Sequence, residues 1–173
     1  MPRLLLLRHA KAERSQPGEG DVTRRLADRG RGDAAKVGLY MQAQGLLPSA
    51  AMVSPAVRTR ETWELVARAL KPAPQPVWDD RLYHASPLDI LGVIQSAGGS
   101  AGTLLVVGHN PGLHEFAAGM IGSGDAGARQ RLAEGMPTSA LAVIDFTDES
   151  WEGLKPRTGR LQRFVTPKRL GAD

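Results

Sequence analysis

The sequence predicts an α/β fold, a three-layer sandwich with a mostly parallel central sheet, and three observations carry that reading. Two continuous apolar runs, residues 4–7 and 104–107, have the composition of central strands covered on both faces. Segments with helical spacing of their apolar residues separate the strand-like runs. Cap and breaker residues, among them Ser54-Pro55, Ser86-Pro87, Gly98-Gly99 and Asn110-Pro111, punctuate the alternation.

Taken in order, residues 3–8 read as the first strand, and helical spacing follows over about 28–44, stopped by Gly45. Residues 50–54 form a second strand. Ser54-Pro55 then opens a helix, with serine as the cap and proline at the first helical position. Its inward face is Trp63, Val66, Ala67 and Leu70. The proline-rich residues 72–76 are a loop, and Val77-Trp78 a short strand. Ser86 and Asp89 fit a capping box ahead of Ile90, Leu91 and Ile94, in a helix that Gly98 and Gly99 end. Residues 103–109 are a central strand, and Asn110-Pro111 opens a helix with Leu113, Phe116, Ala117 and Met120 inward. Residues 139–146 and 160–166 are late strands.

The 173 residues fit one domain spanning 1–173. The absence of cysteine excludes disulfides, thiol chemistry and cysteine metal sites, and it suits a reducing, cytoplasmic setting. Apolar runs are too short to span a bilayer, and the N-terminus lacks the pattern of a signal peptide, so no membrane association is expected. The net charge is +4, with an acid-free basic series late in the chain at Lys155, Arg157, Arg160, Arg163, Lys168 and Arg169. Without an aromatic stacking pattern beside it, that series reads as a solvated strand face and not as a nucleic-acid surface.

Two strands end in histidine. The first runs into Arg8-His9 and the central one into Gly108-His109. Ligands of open α/β sheets bind beyond the carboxyl ends of the strands, which places both histidines at one edge. Arg58 joins them from the first turn of the helix after Ser54. Two arginines, two histidines and two helix starts describe an anion pocket, most simply for phosphate. A neutral histidine can attack phosphorus, and arginines can hold the equatorial oxygens in the transition state.

This arrangement resembles the histidine phosphatase superfamily, whose fold is phosphoglycerate mutase-like. The family's Arg-His-Gly signature stands here as Arg8-His9-Ala10, its S-x-x-x-R-x-x-x-T as Ser54, Arg58 and Thr62, and its late Gly-His as Gly108-His109. "RHAKAE", the Asp21, Arg24, Leu26 and Gly30 series, "VSPAVRTRET", "RLYHASP", "GHNPGL" and "PTSALAV" are similar to the small SixA branch of phosphohistidine phosphatases. The resemblance implies a nucleophilic His9, a phosphate pocket of Arg8, Arg58 and His109, and no cofactor. A phosphate or sulfate ion is expected to fit there.

Other features carry less. Arg24, Arg25 and His84 are rim candidates, and His114 is expected to be solvated on the polar side of its helix. Four scattered histidines without cysteine predict no metal site. Residues 98–102 match G-x-S-x-G around Ser100, but they follow a helix and precede a strand, the reverse of a nucleophile elbow. Gly30, Gly32 and Ala35 match a dinucleotide fingerprint without the strand it requires.

The leaving group is the remaining question. Larger relatives of this kind supply a glutamate after the third strand, and residues 77–82 contain no clear equivalent. Asp80 or Asp21 would be the general acid, although Asp79 and Asp80 read equally well as a solvated turn. Without a placed acid the reaction needs an easy leaving group, and the imidazole of phosphohistidine is one. The expected partner is therefore a phosphohistidine protein of a signalling or phosphotransfer system. A small phosphate ester is the alternative substrate, and an inactive phospho-ligand binder a third reading. The few residues available for a lid predict an open site.

Overall fold

The computed structural model describes residues 1–170. In chain order the elements are β1 (Arg3–Arg8), α1 (Asp28–Ala43), β2 (Ala50–Val53), α2 (Val57–Ala67), β3 (Pro76–Trp78), α3 (Pro87–Ala97), β4 (Thr103–Gly108), α4 (Gly112–Met120), β5 (Ile121–Gly124), α5 (Ala126–Glu134), β6 (Leu141–Phe146), β7 (Gly159–Val165) and α6 (Pro167–Leu170). Single 3₁₀ turns occupy Asp21–Thr23, Asp80–Leu82 and Trp151–Gly153.

The seven strands form one mixed sheet in the order β3-β2-β4-β1-β6-β7-β5. β1, β2, β3 and β4 run parallel, β6 is antiparallel to both its neighbours, and β5 lies parallel to β7. The apolar runs of β1 and β4 are explained by this placement. Leu4 and Leu6 face a core built with α3, α4 and α5, while Leu5 and Leu7 face a second core with α1 and α2. Successive strand residues point to opposite faces, so a strand covered on both sides needs an apolar residue at every position. The sandwich is thus three layers, as the sequence predicts.

The structure departs from the expected boundaries in three places. Ser54 does not cap α2: the helix begins at Val57 with Ala56 at its N-cap. The Ser54 side chain is drawn instead toward the sheet edge. Likewise, Asn110 does not cap α4, whose N-cap is Pro111. β5 and α5 have no counterpart in the sequence reading. Ile121–Gly124 is a short edge strand with two glycines and one large apolar residue, which gives no period-2 signal.

Two glycines let loops close on the sheet edge. A Cβ on Gly30 would collide with the Lys11 carbonyl, and one on Gly112 with the Ala85 carbonyl. The first contact seats the segment after β1 against α1. The second seats the loop before α3 against the start of α4. Both loops border the carboxyl edge.

Candidate active site

β1 delivers Arg8 and His9 to the carboxyl edge, and its neighbours fix the backbone there. The His9 amide donates to the Gly108 carbonyl at 3.1 Å. The Ser139 amide donates to the carbonyls of Arg8 and His9 at 3.2 and 3.1 Å. The Ala10 amide donates to Thr62 Oγ1 at 3.0 Å, and that hydroxyl donates to the Arg58 carbonyl at 2.7 Å. Thr62 therefore ties the turn of α2 that carries Arg58 to the residue after His9.

The sequence-predicted residues converge. The rings of His9 and His109 lie 5.3 Å apart between centroids. His9 Nδ1 is 2.7 Å from the Ala10 carbonyl, so it carries the proton and donates. Nε2 is then left with a lone pair. His109 is oriented through its other nitrogen: Ser54 Oγ lies 2.7 Å from His109 Nε2. With that hydroxyl donating to Nε2, the proton of neutral His109 sits on Nδ1, which is buried and has no partner in the chain. Burial, countered in part by the Ala10 hydrogen bond and reinforced by Arg58, Arg8 and Arg24, pushes His9 down to about 4. Burial and the Arg58 charge push His109 down to about 3. Both rings are neutral at neutral pH.

The two arginines are anchored in the same way. Arg8 Nη1 donates to the Met136 carbonyl at 3.1 Å. Arg58 Nη1 and Nη2 donate to the Asp21 carbonyl and to Asp21 Oδ2 at 2.9 and 3.0 Å. Each is thus gripped at its end, with Nε buried and left without a partner in the chain. Burial and the nearby Arg58 charge both press Arg8 below the usual arginine value. A site that concentrates cations and buried N–H groups this way stabilises a bound anion.

The two acid candidates lie in different surroundings. Asp21 accepts from the Tyr83 hydroxyl at 2.5 Å, from Arg24 at 3.0 Å and from Arg58. The Tyr83 hydrogen bond, then those of the two arginines, hold its carboxyl well below the usual carboxylate range. An acid held ionised so firmly is no proton donor at neutral pH. Asp80 is exposed at the start of a single turn. Asp79 is the ordered member of that pair, capping the turn and binding Arg81 at 2.7 Å.

The rim residues divide. Arg24 bridges Asp21 and the Glu13 carbonyl, and Arg25 is exposed. His84, at φ 57°, packs its ring against Tyr83 with centroids 4.0 Å apart and the planes tilted by 51°. His114 is not solvated as expected: its Nε2 lies 2.6 Å from the Leu132 carbonyl of α5. Ser100 sits with Met1 and Pro2 before β4, at the opposite edge of the sheet from His109. Among the described residues no group of three His, Asp or Glu is placed to hold a metal ion.

Three participants escaped the sequence reading. Tyr83 binds Asp21 and meets the His109 ring edge-on at 5.5 Å. Met136 holds Arg8 and, through the same carbonyl, Asn110 Nδ2 at 2.8 Å. Ser139 is buried at φ 61° with an unpartnered hydroxyl. Tyr83 and Ser139 stand inside "RLYHASP" and "PTSALAV", so their place was marked but not their contacts.

Residues 4–84 match the sequence profile of the histidine phosphatase superfamily, branch 1. An uncharacterized protein of Mycobacterium tuberculosis is 33% identical over 164 residues, which cover 94% of this chain and 100% of that protein. A crystal structure from Agrobacterium tumefaciens, provisionally named phosphohistidine phosphatase SixA, is 32% identical with a TM-score of 0.81, covering 96% of this chain and 99% of that one. The protein histidine phosphatase SixA complexed with tungstate shares the fold at 19% identity, with a TM-score of 0.76 and coverage of 97% and 99%. The chain belongs to the histidine phosphatase superfamily, and within it to the SixA-like branch.

Proposed function

We propose that this protein is a phosphohistidine phosphatase that works through a phospho-His9 intermediate, without a metal ion. The observation that carries the reading is the pairing of a neutral His9, its Nε2 lone pair free, with buried unpartnered nitrogens on Arg8, Arg58 and His109. In the first step His9 Nε2 bonds to phosphorus as the bond from phosphorus to the substrate's imidazole nitrogen breaks. The leaving imidazole takes up a proton from solvent, which the attacking water returns to solvent in the second step. In the second step water attacks the phosphorus, His9 is released, and inorganic phosphate leaves. The arginines and His109 Nδ1–H stabilise the equatorial oxygens in both steps.

The state of the acids supports this substrate class. Asp21 is ionised and Asp80 is exposed, which leaves an alkoxide without a placed donor. Imidazole, with a pKa of about 6.5, is protonated without such help. Only β3, a single turn and α3 lie between α2 and β4, which supports an open site suited to phosphate on a protein surface.

The test incubates the protein with a labelled phosphohistidine phosphotransfer protein and quenches under alkaline conditions. Acid-labile label should be trapped on the wild type and absent from His9→Ala. Turnover should survive EDTA, and kcat/KM should favour the phosphoprotein over small phosphate esters. Full activity in His9→Ala, or a preference for small esters, would overturn the proposal.

A further inference from the structure

The Gly135–Ser139 segment, between α5 and β6, has two faces. One faces the site: the Met136 carbonyl holds Arg8 and Asn110, and the Ser139 amide holds the Arg8 and His9 carbonyls. The other borders a cavity of about 600 Å³ that contains neither His9 nor His109. Its charged lining is Arg131, Lys168 and Arg169 against Glu134 alone, and the exposed Pro137 belongs to its apolar part, whereas Phe164 and Met136 behind it are core residues 2% exposed. Lys168 and Arg169 are exposed, and among the described residues none of the three cations pairs with a carboxylate. Arg131 Nη2 donates to the Phe164 carbonyl at 3.2 Å, whereas its Nε is buried without a partner.

A volume of this size holds a small organic molecule. Three cations against one acid select a ligand with more than one negative charge, and the exposed Pro137 favours an apolar part beside it. We propose that this cavity is a second anion site, for a small molecule joining a dianionic group to an apolar body. Its occupancy reaches the candidate active site through the Met136 carbonyl. Gly135, at φ 146°, gives the loop the freedom to adjust when the cavity fills.

The probe is 1-naphthylphosphonate, whose phosphorus–carbon bond this chemistry does not cleave. Calorimetric titration should find two sites, of which saturating tungstate blocks one. The site that resists tungstate should weaken at least tenfold in Lys168→Ser/Arg169→Ser, with thermal stability unchanged. Amide resonances should shift at Met136 and, beyond the cavity, at Arg8 and His9. A single site, fully displaced by tungstate, would overturn the proposal and leave the proposed function intact. Tungstate that displaces nothing while the cavity still binds would count against the proposed function alone. Shifts confined to the cavity lining would overturn the link to Arg8. A variant ending at Leu170 should bind as the wild type does. Probe binding gained only in that variant would show that the chain itself fills the cavity, and the proposal would fall.

Discussion

Asp21 grips the end of the Arg58 guanidinium with its carbonyl and its carboxylate, at 2.9 and 3.0 Å, and leaves Nε unpaired. It thereby fixes the orientation of the Arg58 guanidinium. Tyr83 and Arg24 hold Asp21 in turn.

Asp21→Asn should therefore lower kcat/KM by roughly ten- to hundredfold, the range of a charge-assisted hydrogen bond worth about 1.5–3 kcal/mol. The loss should fall mainly on KM, and tungstate should bind correspondingly more weakly. The acid limb of the pH profile should not move, because Asp21 is not the titrating group. Equal losses in kcat with unchanged KM would instead make Asp21 a proton donor. Tyr83→Phe, which keeps the ring beside His109, should show a smaller version of the same KM effect.

Ser54→Ala should release His109 to either tautomer. A neutral hydrogen bond of about 1 kcal/mol corresponds to roughly a three- to tenfold loss in kcat/KM. The direct check is the nitrogen chemical shifts of His109: protonated Nδ1 in the wild type, a mixture in the variant. Wild-type shifts in Ser54→Ala would show that Ser54 does not select the tautomer.

The pH dependence has a definite sign. His9 and His109 are pushed down to about 4 and about 3, whereas an unfolded histidine titrates near 6.5. Between those limits the unfolded chain binds more protons than the native one, so stability rises with pH and is fully present above about 6.5. Asp21 acts in the same direction at lower pH, contributing above the usual carboxylate range and losing its contribution below it. Denaturation midpoints should fall from pH 7 to pH 5 in the wild type and fall less in His9→Asn/His109→Asn. The enzyme's own contribution to the kcat/KM profile, once titration of the substrate is subtracted, should stay level down to about pH 5, since His9 remains a free base there. A rate that declines through pH 6.5 would show an ordinary, solvated histidine.

Gly30→Ala and Gly112→Ala should each cost about 1–3 kcal/mol, since the new methyl meets a backbone carbonyl and cannot be relieved by a side-chain rotation. Chemical denaturation measures the cost. Gly32→Ala, on the same helix with open space around it, is the control and should be neutral or slightly stabilising.

The sequence alone determined the layers and the meeting of the two histidines. A short unbroken apolar run bounded by breaker residues fits a strand covered on both faces, and parallel strands bring their carboxyl ends to one edge. Arg8, His9, Arg58 and His109 were legible because their positions follow from that topology and from recurring local motifs. What tertiary structure decided were the long-range contacts. Ser54 looked like a helix cap because its neighbours fit one, yet its hydroxyl lies beside a histidine 55 residues away. Asp21 stood as a candidate acid on its place in the Asp21 and Arg24 series, and only the fold shows that Tyr83, Arg24 and Arg58 surround its carboxylate. β5 left no periodic trace, because a short edge strand rich in glycine is specified by the partner it pairs with. Local pattern fixes which elements form, whereas protonation states and hydrogen-bond partners depend on what the fold brings within about 3 Å of each polar atom.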